Sequence, residues 1–85
     1  MKTFQYKIQD EIGIHARPAG LLVKEAKKYG SKIRIKVNAK EAEATKLMAI
    51  MSLGVKNGQT VEVIAEGEDE ECALEGMQRF FEQNL

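Results

Sequence analysis

The sequence predicts an α+β domain: a four-stranded, mainly antiparallel sheet with three helices on one face, in the order β-α-β-β-α-β-α. Two observations carry this. Four short segments alternate apolar and polar residues with a period of two, the mark of strands with one buried face. Between and after them lie segments whose apolar residues suit amphipathic helices. Length bounds the result. Eighty-five residues, 44% hydrophobic and 31% charged, make one small globular domain spanning 1–85, with no internal repeat, linker or low-complexity stretch.

The first strand is read from Phe4, Tyr6 and Ile8, which alternate with Gln5, Lys7 and Gln9. From Ala16 the period changes. Ala16, Ala19, Leu22, Val23 and Ala26 share one face of a helix, and Lys24, Glu25, Lys27 and Lys28 lie on the other. The late lysines suit the negative pole of the helix dipole, and Gly30 is placed to stop the helix. Ile33, Ile35 and Val37 alternate with Lys32, Arg34 and Lys36 in a second strand. Asn38-Ala39-Lys40 reads as a tight turn into a short third strand from Glu41 to Ala44.

A short apolar segment, Leu47-Met48-Ala49-Ile50-Met51, suits a helix of about two turns closed by Gly54. Asn57-Gly58 marks a turn, and Thr60 to Ala65 forms the fourth strand. The acidic cluster Glu68-Asp69-Glu70-Glu71 sits where a helix N-terminus favours negative charge. Ala73, Leu74, Met77, Phe80 and Phe81 give that last helix its apolar face.

Composition excludes several function classes. Thirteen basic and thirteen acidic side chains cancel, so nothing drives nucleic-acid binding. No segment reaches the length of a signal peptide core or membrane span, so membrane insertion is not expected. The single cysteine, Cys72, has no partner for an internal disulfide, which favours a reducing compartment and a cytoplasmic location. Cys72 is expected to pack within its helix. With one His and one Cys, no metal site is expected, and no cofactor is implied.

The chemistry concentrates in Gly13-Ile14-His15-Ala16-Arg17-Pro18-Ala19-Gly20, which holds the only histidine and the only proline. An imidazole, with an ordinary pKa of about 6.5, is a nucleophile near neutral pH and can take up and release a phosphoryl group. His15 falls at the cap of the first helix, where backbone N–H groups lack intrahelical partners and the dipole favours an anion. Pro18 is tolerated in a first turn, Arg17 brings a fork of donors suited to phosphate oxygens, and Gly13 lets the backbone pass tightly. Two plainer readings stand beside this one: a surface histidine without chemical work, and a general base for hydrolysis.

Gly13-Ile14-His15-Ala16-Arg17-Pro18-Ala19 closely resembles the active-site motif of the histidine-containing phosphocarrier (HPr) family of the bacterial phosphoenolpyruvate-dependent sugar phosphotransferase system. Leu47-Met48-Ala49-Ile50-Met51-Ser52-Leu53-Gly54 resembles the family's second helix and following loop. Ala65-Glu66-Gly67-Glu68-Asp69-Glu70 resembles its approach to the last helix. The resemblance covers nearly the whole chain and implies an open-faced β-sandwich. It implies that enzyme I phosphorylates His15 at Nδ1 and that phospho-His15 donates to the EIIA domain of a sugar permease. Arg17 and the N–H groups of Ala16 and Arg17 would hold the phosphoryl group. The chain would be a stoichiometric carrier and a monomer, not a free-standing enzyme.

The resemblance also implies one docking surface for both partners: Gly20, Leu47, Met48, Met51, Ser52 and Gly54, with Lys24 and Lys27 at the rim. Methionines suit a surface that must fit unlike partners. Burial of Met48 or Met51 in the core is the alternative, and turn or helix-end chemistry is the alternative for Ser52. One position departs from the family. Lys46 stands where Gram-positive members carry a regulatory serine, so kinase control is not expected. Thr45, one residue earlier, is expected to cap the second helix. Two further readings remain open: a paralogous carrier in a regulatory, nitrogen-related branch, and a binding module without phosphoryl transfer.

Overall fold

The computed structural model describes all 85 residues. The chain runs β1 (Lys2–Lys7), α1 (Ala16–Ala26), β2 (Lys32–Val37), β3 (Lys40–Glu43), α2 (Leu47–Ser52), β4 (Thr60–Glu66) and α3 (Glu70–Asn84). The strands form one sheet in the order β1-β4-β2-β3. Every pairing is antiparallel, so the sheet is wholly, and not only mainly, antiparallel. Three helices cover one face and leave the other open, an open-faced sandwich as the sequence predicts.

Period-two alternation decides which side chains meet the helices. Ile33, Ile35 and Val37 of β2 and Val61, Val63 and Ala65 of β4 join the core, and Phe4 and Tyr6 of β1, partly buried, pack against it. The open face carries charged pairs instead. Arg34 donates to Glu41 at 2.8 Å, and Lys32 approaches Glu43 at 3.5 Å. Surface pairs of this kind each contribute only about 0.2–1 kcal/mol.

The largest fully buried side chains are Phe81, Ile8, Leu22, Ile35, Ile50, Met77, Val61 and Val63, drawn from the sheet and all three helices. Phe81 is the hub. Its ring meets Phe4, Tyr6 and Phe80 edge-on at centroid distances of 5.9, 5.5 and 6.0 Å, the arrangement aromatic quadrupoles favour.

Several boundaries differ from the sequence reading. Helix α1 ends at Ala26 with Lys27 at its C-cap, so Gly30 does not stop it. The Gly30 N–H donates instead to Asp69, across the fold, at 2.9 Å. Strand β3 starts one residue early, because Asn38 takes a φ of 54° and completes the turn before Lys40. Helix α3 does begin in the acidic cluster, with Asp69 at the N-cap and Glu70 and Glu71 in the first turn. The Asp69 carboxylate does not cap its own helix. It accepts from the Ser31 N–H at 2.8 Å and from the Ser31 hydroxyl. These donors stabilise the ionised form, so the Asp69 pKa is lowered, chiefly by the Ser31 hydroxyl and then by the Gly30 N–H.

Cys72 lies exposed on α3 and does not pack, correcting the expectation. On the same helix Gly76 is buried because Tyr29 lies across it. A Cβ there would sit 1.7 Å from the Tyr29 hydroxyl oxygen. That hydroxyl donates to Glu25 at 2.7 Å. Burial, with the neighbouring carboxylate, pushes the Tyr29 pKa up to about 12.

Candidate functional site

The segment from Gln9 to His15 must turn the chain from the end of β1 into α1. Asp10 organises that turn. Its Oδ1 accepts from the Ile12 N–H at 2.9 Å and from the Gly13 N–H at 3.2 Å, a side chain imitating a backbone turn. The Leu85 main-chain oxygen accepts from the Gln9 and Asp10 N–H groups at 2.6 and 2.8 Å. Asn57 Nδ2 donates to the Gln9 and Asp10 carbonyls at 3.2 Å each. The loop is thereby tied to the end of α3 and to the turn before β4.

Gly13 follows, at φ 88° and fully enclosed. A Cβ there would lie 2.3 Å from the Val55 carbonyl oxygen and 2.7 Å from Lys56 Cα. Only glycine passes so close with this backbone. The same Val55 carbonyl accepts from the Ile14 N–H at 3.0 Å. Ile14 is buried, which leaves His15 to project outward.

His15 is the N-cap of α1, in extended backbone conformation with φ −111° and ψ −171°. Its carbonyl accepts the first helical hydrogen bond, from the Ala19 N–H at 2.9 Å. Its side chain makes no capping bond, so the imidazole is not tied down to its own helix. Ala16 and Arg17 occupy the first two helical positions, whose N–H groups have no carbonyl four residues back to bond. Pro18 sits third and is buried, contributing no orphan donor of its own. The first turn carries no acidic residue that would compete with an anion. Arg17 is exposed, free to fold over a group on the imidazole.

The His15 side chain is 38% exposed, and its Nε2 lies 3.9 Å from Asp10 Oδ1. Beside the ring is a shallow depression lined by Asp10, His15, Arg17, Pro18, Leu21 and Asn84. Reading the sequence missed Asp10, Leu21 and Asn84. Asp10 left a trace in the spacing Asp-x-x-Gly, a turn signature. Asn84 left none, because only the fold brings the end of α3 here.

The remaining surface residues fall into two groups. Arg17, Gly20, Lys24 and Lys27 recur three and four apart along α1 and share one stripe, with both lysines exposed. On α2, Leu47, Met48 and Met51 are exposed, Met48 at 72% and Met51 at 37%. Neither methionine is a core residue; Ile50 and Leu53 supply that burial instead. The Ser52 hydroxyl donates to the Met48 carbonyl at 2.7 Å, the helix-end role weighed for it. Gly54 follows at φ 62° and is exposed. Lys46 is the N-cap of α2, exposed and in extended conformation, and no side chain caps that helix. Thr45 therefore does not cap α2, contrary to expectation. The chain turns one residue later and leaves its hydroxyl behind.

The family model described as "PTS HPr component phosphorylation site" matches residues 2–83. The chain belongs to the HPr family. It is 38% identical to the phosphocarrier protein HPr of Mycoplasma genitalium, over 99% of this chain and 97% of that protein. The crystal structure of an HPr from Thermoanaerobacter tengcongensis superposes with a TM-score of 0.93 at 41% identity, covering 98% of this chain and 93% of the other. The Bacillus subtilis catabolite repression protein Crh matches with a TM-score of 0.78 at 34% identity, covering 100% and 98%. That protein is described as a dimer formed by a swapping domain. HPr membership accounts for the element order and the open-faced sandwich. No helix is long and apolar enough to cross a membrane.

Proposed function

We propose that this HPr-family chain is a phosphoryl carrier that accepts from enzyme I on His15 and donates to EIIA domains of sugar permeases. The observation that carries the reading is that His15 is a partly exposed N-cap whose side chain makes no capping bond, at the helix end where the N–H groups of Ala16 and Arg17 have no intrahelical partner. A neutral imidazole attacks phosphorus through the Nδ1 lone pair. The N–P bond forms, the bond to the donor breaks, and its electron pair leaves with the donor. The new anionic group lies at the positive end of α1, where N–H donors and the Arg17 guanidinium stabilise it. Reversal with a second acceptor discharges the carrier. No group for hydrolysis is needed, and none is required beside His15 to hold a water.

Docking falls to the stripe Gly20, Lys24 and Lys27 and to Leu47, Met48, Met51, Ser52 and Gly54. The exposed methionines form an adaptable apolar centre with a cationic rim, suited to partners bearing acidic surfaces. The carrier is cytoplasmic and acts as a monomer. Lys46 holds permanent positive charge where a switchable serine would stand, so transfer is constitutive.

Incubation with enzyme I and phosphoenolpyruvate tests the reading. Acid-labile, base-stable phosphate on the wild type and none on His15→Ala is expected. Equal labelling of His15→Ala, or no labelling of the wild type, rejects it. A panel of acceptor domains then separates sugar permeases from a regulatory branch.

A further inference from the structure

We propose that Asp10 is a positioning residue for His15: its negative charge, facing Nε2 across 3.9 Å, favours the proton there and so biases phosphoryl uptake toward Nδ1. The inference rests on the carrier reading above and adds to it the group that selects the reacting nitrogen.

The geometry comes from two sides of one turn. Asp10 Oδ1 lies 3.9 Å from His15 Nε2, within ion-pair reach and beyond hydrogen-bond distance. Asp10 cannot easily drift. Its side chain is fixed by the Ile12 and Gly13 N–H groups, its own N–H by Leu85, and its carbonyl by Asn57. Both side chains remain partly open, His15 at 38% and Asp10 at 32%, so the ring is reachable while its Nε2 edge faces a fixed negative charge.

Three consequences follow from elementary chemistry. In a neutral imidazole one nitrogen carries the proton and the other the lone pair, and a neighbouring acceptor decides which. A carboxylate beside Nε2 favours the Nε2–H tautomer and leaves Nδ1 as the nucleophile. Attack through Nδ1 moves positive charge onto the ring, shared by the Nε2–H group, which Asp10 faces. The charge balances: the ring gains one positive charge, the bound phosphoryl group keeps its negative oxygens, and the electron pair of the broken bond stays with the donor. Finally, a phosphoryl group on Nε2 would place its oxygens against the Asp10 carboxylate, which disfavours that isomer.

The test separates charge from turn-building. Asp10→Asn keeps an oxygen for the Ile12 and Gly13 N–H groups and loses the charge, and Asp10→Ser keeps a weaker turn acceptor. Nitrogen-15 correlation spectra of unphosphorylated protein at pH 9 report the His15 tautomers directly. Neutral histidine in water already favours Nε2–H; the wild type is expected to exceed that proportion, and both variants are expected to fall back toward it. Their uptake of phosphoryl groups from enzyme I should slow about three- to fivefold, the range for one partly exposed charge pair, with melting temperatures of the Asn variant unchanged. Identical tautomer ratios in the wild type and both variants overturn the proposal, as does wild-type uptake in both. If the wild type takes no label at all, the carrier reading fails, and the tautomer spectra still decide the role of Asp10.

Discussion

Gly13→Ala tests the link between the fold and the reactive histidine. The methyl group would lie 2.3 Å from the Val55 carbonyl oxygen and 2.7 Å from Lys56 Cα, both main-chain atoms that cannot rotate away. Alanine at a φ of 88° adds strain, about 1–2 kcal/mol for an L-residue in left-handed conformation. Moving the Val55 carbonyl outward also breaks the bond it accepts from Ile14, roughly another 1 kcal/mol. The sum is about 2–3 kcal/mol. For a domain of this size, that converts to a fall in Tm of roughly 10–20 °C. Thermal melting followed by circular dichroism measures it. Phosphoryl uptake, measured at 10 °C where the variant stays folded, should fall as well, since His15 is two residues from the displaced backbone. A Tm within about 4 °C of the wild type would refute the packing argument.

Other expectations are as direct. Arg17→Glu should slow phosphoryl uptake at least tenfold, because a charge-assisted hydrogen bond is worth about 1.5–3 kcal/mol. The exposed position predicts an almost unchanged Tm, and a large drop would show that Arg17 supports the fold instead. Asp69→Asn should lower the Tm at pH 7 by weakening the bonds from Ser31 and Gly30. Because the folded Asp69 pKa is depressed, its contribution is present above the unfolded carboxylate value and disappears as pH falls through the folded one. The gap between wild type and variant should therefore begin to narrow below about pH 4, where an unperturbed Asp takes up a proton, and close as pH falls through the lower folded value; a gap constant down to pH 2 would contradict this. Incubation with the family's serine kinase and ATP should leave the intact mass unchanged, since Lys46 offers no hydroxyl. A phosphate on Thr45 would overturn the constitutive reading.

Much of this architecture is written in local periodicity. The alternation in Lys32–Val37 and Thr60–Glu66 specifies strands with one buried face, and the spacing of Leu22, Val23 and Ala26 specifies the buried face of α1. His15 at a helix start was legible for the same reason, because Pro18 and the polarity change mark the first turn. What sequence did not reveal depends on contacts between distant residues. Gly30 looked like a helix stop, but its N–H serves Asp69, thirty-nine residues on. Thr45 has the chemistry of a cap and is one residue out of place. Asp10 belongs to the site only because the ends of β1 and α3 and the turn at Asn57 converge on it. Met48 and Met51 could not be assigned from spacing, since two positions three apart read alike whether they face the core or water.

The position of β4 between β1 and β2 has a consequence for synthesis. A nascent chain that has emerged only through residue 59 carries β1 and β2 but not the strand both must pair with. The first two strands then have unsatisfied edges and no sheet between them. At roughly 5–20 residues per second on the ribosome, that interval lasts seconds, long enough for a chaperone to engage. Reactivity at the imidazole would therefore be among the last properties acquired, once α3 has delivered Leu85 to the Asp10 turn.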